Sequence, residues 1–425
     1  MLSKFLPTPA DYPKEQIASL RRNLRFHLSD GAVYVLGMSL VSVQTILPVF
    51  IKELGGSPLS ISSVQVLWTL GANIPSAFVA FYLQRQLFFK PAMVGWGFIH
   101  RAMLLVCGIA AFFIIGKIPP GAAVPLFLLL IFLVAAFGSL SGLPWFQVYS
   151  KTVPVKLRGR LMGMRQLLGS AAGIIGGSIV SIILATIYFP LNFSVLFVSA
   201  FAVTMLSFYF LTQISEQPSV DNRELEKPVS IVSAAKRIIS SNSNFKNYLF
   251  ADAFAIMSIS VTSFYSVYAI VKFDLPASYA GTFTAIMMIT NVIANIGFGI
   301  IGDMYGHKVN LLILVICTGA AALLAVLSTN ILMYGFVFFF LACAIQVQVI
   351  SRLPFIAEMC RENERPLYVG ITNTLTAPTM LIGLLFGWFV PKIGYDFVFL
   401  LTTLLAGSSF FILYKFVEEP RNRKS

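Results

Sequence analysis

Charged side chains are scarce in this 425-residue chain. Asp, Glu, Lys and Arg together make up 11% of it, whereas hydrophobic residues make up 57%. Ordinary soluble domains are about 25% charged, so this composition argues against a water-soluble globular protein. In hydrocarbon, helices satisfy their own backbone hydrogen bonds and are therefore the default structure. The composition thus predicts a helical membrane protein.

Cysteine and histidine are also rare, with four and three residues respectively. The cysteines show no paired spacing, which argues against a disulfide framework. The chain has no His-Glu-x-x-His motif, no phosphate-binding loop and no nucleophile elbow. We therefore expect no catalytic residues, no cofactor and no metal site, although a polytopic membrane enzyme stays a distant alternative. No cleavable signal peptide is expected, because the first long apolar run starts only near residue 28.

Long apolar runs occupy most of the sequence. A helix needs about 20 mostly apolar residues to cross a bilayer, and we predict that twelve runs do so. The predicted spans are 28–51, 59–84, 92–116, 123–150, 160–187, 192–213, 246–271, 277–302, 308–328, 331–356, 367–391 and 395–417. Span 5 carries Gly169, Gly173 and Gly177 at four-residue spacing, which predicts close packing against another helix.

Basic residues lie mainly on one side of the predicted membrane. If the N-terminus is cytoplasmic, all of the 30 Lys and Arg residues lie on the cytoplasmic side except Lys52, Lys117, Lys272 and Lys392. This asymmetry is typical of the positive-inside rule. It predicts a multi-pass protein of the cell membrane with both termini cytoplasmic, and it accounts for the net charge of +13 without a nucleic-acid partner. We expect a monomer whose partners are the lipid bilayer and a small-molecule substrate.

One long polar stretch divides the spans into six and six. The predicted organisation is a tail with an interfacial helix (1–27), an N-terminal six-helix bundle (28–213), a cytoplasmic linker (214–245), a C-terminal six-helix bundle (246–417) and a short tail (418–425). The two bundles are pseudo-symmetric, because the Arg158-x4-Gly163 pattern after span 4 recurs as Arg365-x4-Gly370 after span 10. Two related six-helix halves are a known transporter plan, with the substrate held between them near the midplane.

A loop between spans 8 and 9 carries a more specific signal. Its sequence, Gly299-Ile-Ile-Gly-Asp303-Met-Tyr-Gly306-His307-Lys308, resembles the signature loop of the major facilitator superfamily. The resemblance implies a carrier that alternates between inward-open and outward-open states. It also implies that this loop helps to close the inner face, with gating roles for Asp303, Gly306, Lys308, Arg158 and Arg365. In the first half, Arg85 stands where the acidic residue of the loop is expected.

Acidic residues are almost absent from the spans. Only Asp30 and Asp252 approach a span interior, at the cytoplasmic ends of spans 1 and 7. Intramembrane charges often mark a transport pathway, so both are candidates for proton coupling. The alternative is that each caps a helix start or pairs with a basic turn. With no carboxylate at the midplane, both secondary active and facilitated transport stay open.

Neutral polar and aromatic residues dominate the middle of the spans. Spans 1, 4, 7 and 10 line the cavity in the family, and Asn291 lies on one face of span 8 with Asn295. The predicted substrate contacts are Gln44, Gln147, Tyr265, Tyr268, Asn291 and Gln346. Hydrogen bonds between helices are the alternative role for these amides. The lining predicts a small neutral, zwitterionic or amphipathic solute. The alternatives are export of lipophilic drugs by proton antiport and, as a weaker alternative, sugar-type uptake.

Overall fold

The computed structural model describes residues 14–83, 86–217, 231–361 and 364–422. These residues form α-helices and contain no strand. The helices are α1 (Lys14–Ser39), α2 (Ile46–Glu53), α3 (Pro58–Leu83), α4 (Lys90–Phe113), α5 (Pro120–Thr152), α6 (Val155–Thr186), α7 (Leu191–Thr212), α8 (Ile231–Ser241), α9 (Ser243–Ile259), α10 (Thr262–Lys272), α11 (Tyr279–Tyr305), α12 (His307–Leu327), α13 (Ile331–Glu358), α14 (Arg365–Thr376), α15 (Ile382–Ile393) and α16 (Tyr395–Phe416).

Ten helical segments among the described residues are long and apolar enough to cross a membrane. They correspond to the predicted spans 3 to 12, with α9 and α10 forming one segment and α14 and α15 forming another. The prediction of an all-α membrane protein is therefore confirmed. The count of twelve is not confirmed, and the predicted span 1 is interrupted between Ser39 and Ile46.

Three predicted spans are not continuous helices, and this corrects the sequence-based spans. Span 1 breaks between Ser39 and Ile46, span 7 breaks between α9 and α10, and span 11 is interrupted by a 3-10 turn at Ala377–Leu381. Pro378 lies in that turn and has no N–H for the helical ladder. At the other two breaks, Ser and Thr hydroxyls bond to nearby carbonyls, as Ser260 does to Met257 O at 2.7 Å, and so compete with the helical pattern.

The N-terminal tail also differs from the prediction. Helix α1 runs without a break from Lys14 into the first span, so no structural boundary occurs at residue 28. Leu20 and Leu24 are buried and lie in a cluster with Tyr149 and Leu161. The start of α1 therefore packs on the ends of α5 and α6, and residues 14–27 belong to the same helix as the first span. Residues 1–13 lie outside the described part of the chain.

The apolar core is arranged differently on the two sides of the protein. We call the side predicted to be cytoplasmic the inner side. On the outer side, one core contains residues of both halves, among them Phe50, Phe127, Phe264 and Phe338. Toward the inner side, the larger clusters of described residues each belong to one half, and a small cluster of Val66, Ile256 and Met380 joins the two halves. The halves are therefore closed against each other on the outer side.

Two helix pairs make the main contact between the halves, α6 with α11 and α3 with α15. At the first, Gly177 and Gly281 let the two backbones approach so closely that a Cβ on Gly281 would lie 2.5 Å from Gly177 O. Nearby, Thr45 and Thr284 share a hydrogen bond of 2.6 Å between their hydroxyls. The predicted close packing of span 5 thus occurs against α11 in the other half at Gly173 and Gly177, whereas Gly169 packs against Val35 of α1.

Candidate functional site

A buried carboxylate–arginine pair lies in the inner part of the N-terminal half. Arg165 Nη1 donates to Asp30 Oδ2 at 2.6 Å, and the Ser207 hydroxyl donates to Asp30 Oδ1 at 2.7 Å. A second arginine is linked to this pair through Ser207. Arg101 Nη2 donates to the same Ser207 hydroxyl at 3.2 Å. Asp30 is 2% exposed. Its charge is therefore held by Arg165 directly and by Arg101 through Ser207.

Arg101 is itself fully enclosed. Its Nε donates to Thr204 O at 2.7 Å and its Nη1 donates to Gly97 O at 2.9 Å. Its guanidinium lies 5.6 Å from the ring centre of Tyr34 and 5.1 Å from that of Phe208. Cation–π contacts of this kind help to stabilise a desolvated cation. Arg101 therefore has no free donor edge and links α4 to α7.

A second carboxylate–arginine pair occupies the C-terminal half. Arg352 donates to both oxygens of Asp252, with Nε at 2.9 Å from Oδ1 and Nη2 at 2.7 Å from Oδ2. Arg352 also donates to Asn373 Oδ1 at 3.0 Å and to the Thr376 hydroxyl at 3.1 Å. Tyr248 donates its hydroxyl to Asp252 Oδ1 at 3.4 Å. All three guanidinium nitrogens of Arg352 are therefore bonded.

Sequence reasoning treated an ion pair with a basic turn as the alternative role of the two aspartates, and the structure shows ion pairs with arginines inside helices α6 and α13. The internal repeat could not predict these partners. The offset of 207 that relates Arg158 to Arg365 (365 − 158) places Trp145 at Arg352 and Arg165 at Thr372. The two halves therefore take their arginine from different helices. Proton coupling by Asp30 or Asp252 stays a prediction.

The six predicted substrate contacts do not form one cluster. Gln147 is exposed on the inner part of α5, whereas Asn291 and Gln346 are buried. Gln44 lies in the break between α1 and α2, where its side-chain oxygen accepts from Ser42 at 3.4 Å. The Asn291 side-chain oxygen is buried without a hydrogen-bond partner among the described residues.

Tyr265 and Tyr268 lie in the outer core. Tyr265 stacks on Phe399 with ring centres 5.0 Å apart. Tyr268 packs on Tyr395 and donates its hydroxyl to Asp396 at the start of α16. Both tyrosines are therefore enclosed by the packing that closes the outer side. Contact with a solute at either position requires this packing to open.

Among the described residues, the hydrogen bonds of Lys308 and Arg158, two of the predicted gating residues, stay within one half. Asp303 is exposed and makes no ion pair with any residue in the described ranges. Gly306 has a φ of +88° and joins α11 to α12, as a tight turn requires. The backbone N–H of Lys308 donates to Glu419 Oε2 at 2.9 Å. Arg158 donates to Val153 O at 3.0 Å within its own half. Arg365 begins α14.

The start of α6, the predicted partner of Asp303, forms a hydrogen bond with a different residue of α11. Asn295, on α11, donates to Gly163 O of α6 at 3.1 Å. This bond lies on the inner side, two helical turns from Asp303. Arg85, the charge-reversed counterpart in the first half, lies outside the described residues.

Sequence reasoning missed a contact that both halves repeat at the inner side. In this contact, which we call the clasp, an Asn side chain bonds the backbone N–H and C=O of one residue after the last helix of its half. In the first half, Asn23 donates to Ser215 O at 3.0 Å and accepts from Ser215 N at 3.0 Å. In the second half, Asn244 donates to Glu418 O at 3.1 Å and accepts from Glu418 N at 2.8 Å. Each half therefore ties the segment after its last helix to the start of its first. The recurring acidic residues after spans 6 and 12 were the available signal.

The acidic residue that follows each clasp caps a helix. A residue close to it has opposite charge in the two halves. Glu216 accepts from the N–H groups of Phe89 and Lys90 at the start of α4 and pairs with Lys151 at 2.7 Å. In the second half Glu419 caps α12. There, Glu358 stands at the repeat position of Lys151 (151 + 207) and pairs with Arg421 at 2.7 Å. Hydrogen bonding to Glu358 raises the pKa of Arg421.

Comparisons with known proteins assign the chain to a family. The family model described as the Major Facilitator Superfamily matches residues 31–375 and, in a second match, residues 248–425. The chain belongs to the major facilitator superfamily. The resemblance found in the signature loop is thereby confirmed. This major facilitator protein is a transporter and a multi-pass membrane protein, and family membership argues against an enzyme.

Solved structures share the fold of this major facilitator protein at low sequence identity. A point mutant of the nucleoside transporter NupG has a TM-score of 0.71 at 14% identity, covering 92% of this chain and 100% of NupG. A D-xylose-proton symporter has a TM-score of 0.71 at 13% identity, covering 95% and 99%. A bacterial homologue of the human lysosomal transporter Spinster, inward-facing and unoccupied, has a TM-score of 0.65 at 13% identity, covering 95% and 98%. No curated protein sequence matches the chain.

Proposed function

We propose that this major facilitator protein carries a small neutral, zwitterionic or amphipathic solute by alternating access. The observation that carries the proposal is the single core on the outer side, together with larger clusters toward the inner side that each belong to one half. Such packing is expected of an inward-facing state. Rocking of the two halves then opens the outer side and closes the inner side. Names of the structural neighbours, which include a nucleoside transporter and a D-xylose-proton symporter, support a small polar solute.

The remaining expectations about the transporter are part of the same proposal. The bundles 28–213 and 246–417 move as two bodies, the protein is a monomer of the plasma membrane, and both termini are cytoplasmic. Gln44, Gln147, Asn291 and Gln346 contact the solute from the inner side. Coupling to protons requires Asp30 or Asp252 to leave its arginine during the cycle. Transport without proton coupling does not require either aspartate to leave its arginine.

Alternating access is testable with single cysteines at Gln147 and Tyr268, in a chain whose half-exposed Cys360 is replaced by serine. Gln147 is exposed on the inner side, whereas Tyr268 is 9% exposed within the outer core. We expect an impermeant thiol reagent to label position 147 only from the inner side, in the inward-facing state. When the outer side opens, position 268 should become reactive from outside and position 147 should become protected.

A matched control is Lys117→Cys, which lies exposed in an outer turn and should react from outside in every state. If positions 147 and 268 keep the same reactivity in all conditions while the control reacts normally, the carrier proposal is wrong. A channel or a static protein would then fit better.

We also propose that Asp303 stabilises the state in which the inner side is closed, by facing the start of α6. In the inward-facing structure its carboxylate is exposed and unpaired among the described residues. Asp303→Asn should therefore shift the equilibrium toward inward-facing by about two- to thirtyfold. The basis is a helix-end charge effect of about 0.3–2 kcal/mol, with about 1.4 kcal/mol per factor of ten. Spectroscopic distances across the inner face measure the shift. An equal shift from Arg85→Asn, or none from Asp303→Asn, contradicts the latch.

A further inference from the structure

The two carboxylate–arginine pairs are not equivalent in their hydrogen bonding. Arg352 bonds through all three of its guanidinium nitrogens. Arg165 bonds through Nη1 alone, to Asp30 Oδ2 at 2.6 Å and to His27 O at 3.2 Å. Its Nε and Nη2 have no hydrogen bond to any described residue, and its side chain keeps 14% of its exposure. One edge of the Arg165 fork is therefore open.

A second unpaired donor belongs to the residue on whose ring the Arg165 guanidinium lies. The Arg165 guanidinium lies 4.5 Å from the ring centre of Trp145, on α5. The indole N–H of Trp145 is buried and has no acceptor among the described residues. Buried donors without an acceptor are rare and costly, so each requires an explanation. Both unpaired groups donate, and the complementary ligand therefore offers acceptors.

The position of Arg165 is built into the packing of α6 on α1. Gly31, on α1, leaves the space through which the Arg165 side chain passes, and a Cβ there would overlap Arg165 Cγ. Stacking on Trp145 holds the plane of the guanidinium. The site lies on the inner side, and the Arg165 side chain keeps 14% of its exposure there.

The charge balance of the N-terminal half points to the same kind of ligand. Asp30 is shared by Arg165 and, through Ser207, by Arg101. This buried network holds two cations and one carboxylate, whereas the network around Asp252 holds one of each. An uncompensated buried charge is unfavourable. One additional negative charge balances the network.

We propose that Arg165 and Trp145 bind a single oxyanion group, a carboxylate or a phosphate-type group, on the transported solute. This rests on the proposed carrier function and narrows its substrate to zwitterionic or amphipathic solutes that carry one such group. A planar oxyanion accepts two parallel N–H bonds from the free Nε and Nη2 edge, the strong bidentate geometry of arginine. The Trp145 N–H supplies a third donor.

The test uses the purified full-length protein and matched probes. Butyrate and benzoate are compared with butyramide and benzamide, and inorganic phosphate is added as a third oxyanion. We expect at least one oxyanion to raise the thermal unfolding midpoint, because a ligand of the native state stabilises it, and its amide to have little effect. Arg165→Lys keeps the charge but loses the fork, and should weaken binding about tenfold or more. Trp145→Phe keeps the ring and should weaken it less.

Arg352→Lys is the matched control, since it alters the saturated pair of the other half and should leave the preference for acid over amide unchanged. If Arg165→Lys is too unstable to purify, Asp30→Asn combined with Arg165→Gln removes both charges and should abolish the preference. The proposal is overturned if amides bind as well as acids, if no oxyanion binds, or if the Arg165 variants keep the preference.

A lipid headgroup has the same oxyanion chemistry as a free solute. Protein in phosphatidylcholine nanodiscs is therefore compared with protein in nanodiscs that also contain phosphatidate. Arg165-dependent stabilisation by phosphatidate, with no response to the soluble acids, would overturn the solute assignment. Cysteine labelling at positions 147 and 268 reports alternating access separately. Selective oxyanion binding without a switch of accessibility would refute the carrier function but support the binding site. A switch of accessibility without selective oxyanion binding would refute the binding site alone.

Discussion

Arg352→Gln is expected to lower the free energy of unfolding by about 3–5 kcal/mol, the cost of breaking a buried ion pair by removing one partner. The substitution leaves Asp252, which is 6% exposed, without its bidentate donor. It also removes the donors to Asn373 and Thr376 and so loosens α13 from α14. The midpoint of thermal unfolding in detergent, followed by loss of helical signal or by aggregation, measures the effect.

Two controls separate lost charge pairing from lost packing. Asp252→Asn combined with Arg352→Gln removes both charges and should recover most of the lost stability, because no buried charge is left unpaired. Glu53→Gln alters a pair with Lys52 whose side chains are about one third exposed. Such pairs contribute about 0–1 kcal/mol. Equal losses from Arg352→Gln and Glu53→Gln would show that the buried pair has no special role.

Gly281→Ala is expected to have the second large effect, on the balance between inward-facing and outward-facing states that we propose for this transporter. The added Cβ would lie 2.5 Å from Gly177 O, and backbone atoms cannot rotate away as a side chain can. Overpacking of this kind costs about 1–3 kcal/mol. Since the contact closes the outer side, this cost falls on the inward-facing state. The equilibrium should shift toward outward-facing by about five- to 150-fold, at about 1.4 kcal/mol per factor of ten.

The same helix supplies the control for Gly281→Ala. Gly297 also lies on α11, but a Cβ at that position would meet nothing within 4 Å. Gly297→Ala should therefore leave the equilibrium unchanged. Thiol labelling of Tyr268→Cys from the outer side is the measurement, because it reports opening of the outer core. If both alanine variants label at the wild-type rate, the glycine contact does not hold the outer side closed.

Sequence reasoning succeeded where the physics is local. Composition and run length predicted membrane helices because a backbone in hydrocarbon must satisfy its own hydrogen bonds within each segment. The loop from Gly299 to Lys308 identified the family because a tight turn with Gly306 at positive φ needs particular residues at fixed spacing. The choice of Gln44, Gln147, Tyr265 and Tyr268 as substrate contacts relied on which spans line the cavity, and it stays a prediction.

Sequence reasoning fell short where remote residues decide the structure. The breaks near Ser42 and Ser260 are invisible to a hydropathy pattern, because hydroxyls and packing against other helices replace the helical bonds there. The same holds for the clasps by Asn23 and Asn244, whose partners lie about 190 and 170 residues away along the chain. Contacts at such distances depend on how the helices assemble.

By itself, the sequence determined that this chain is a helical membrane protein and that it belongs to a transporter family, and it predicted two related halves. Only the tertiary structure decided which arginine pairs with which aspartate, that Arg165 keeps an open edge whereas Arg352 is saturated, and which side of the protein is closed. The reason is that helix formation depends on hydrogen bonds between residues four apart. The environment of a buried charge, in contrast, depends on side chains that only the packing of distant helices brings together.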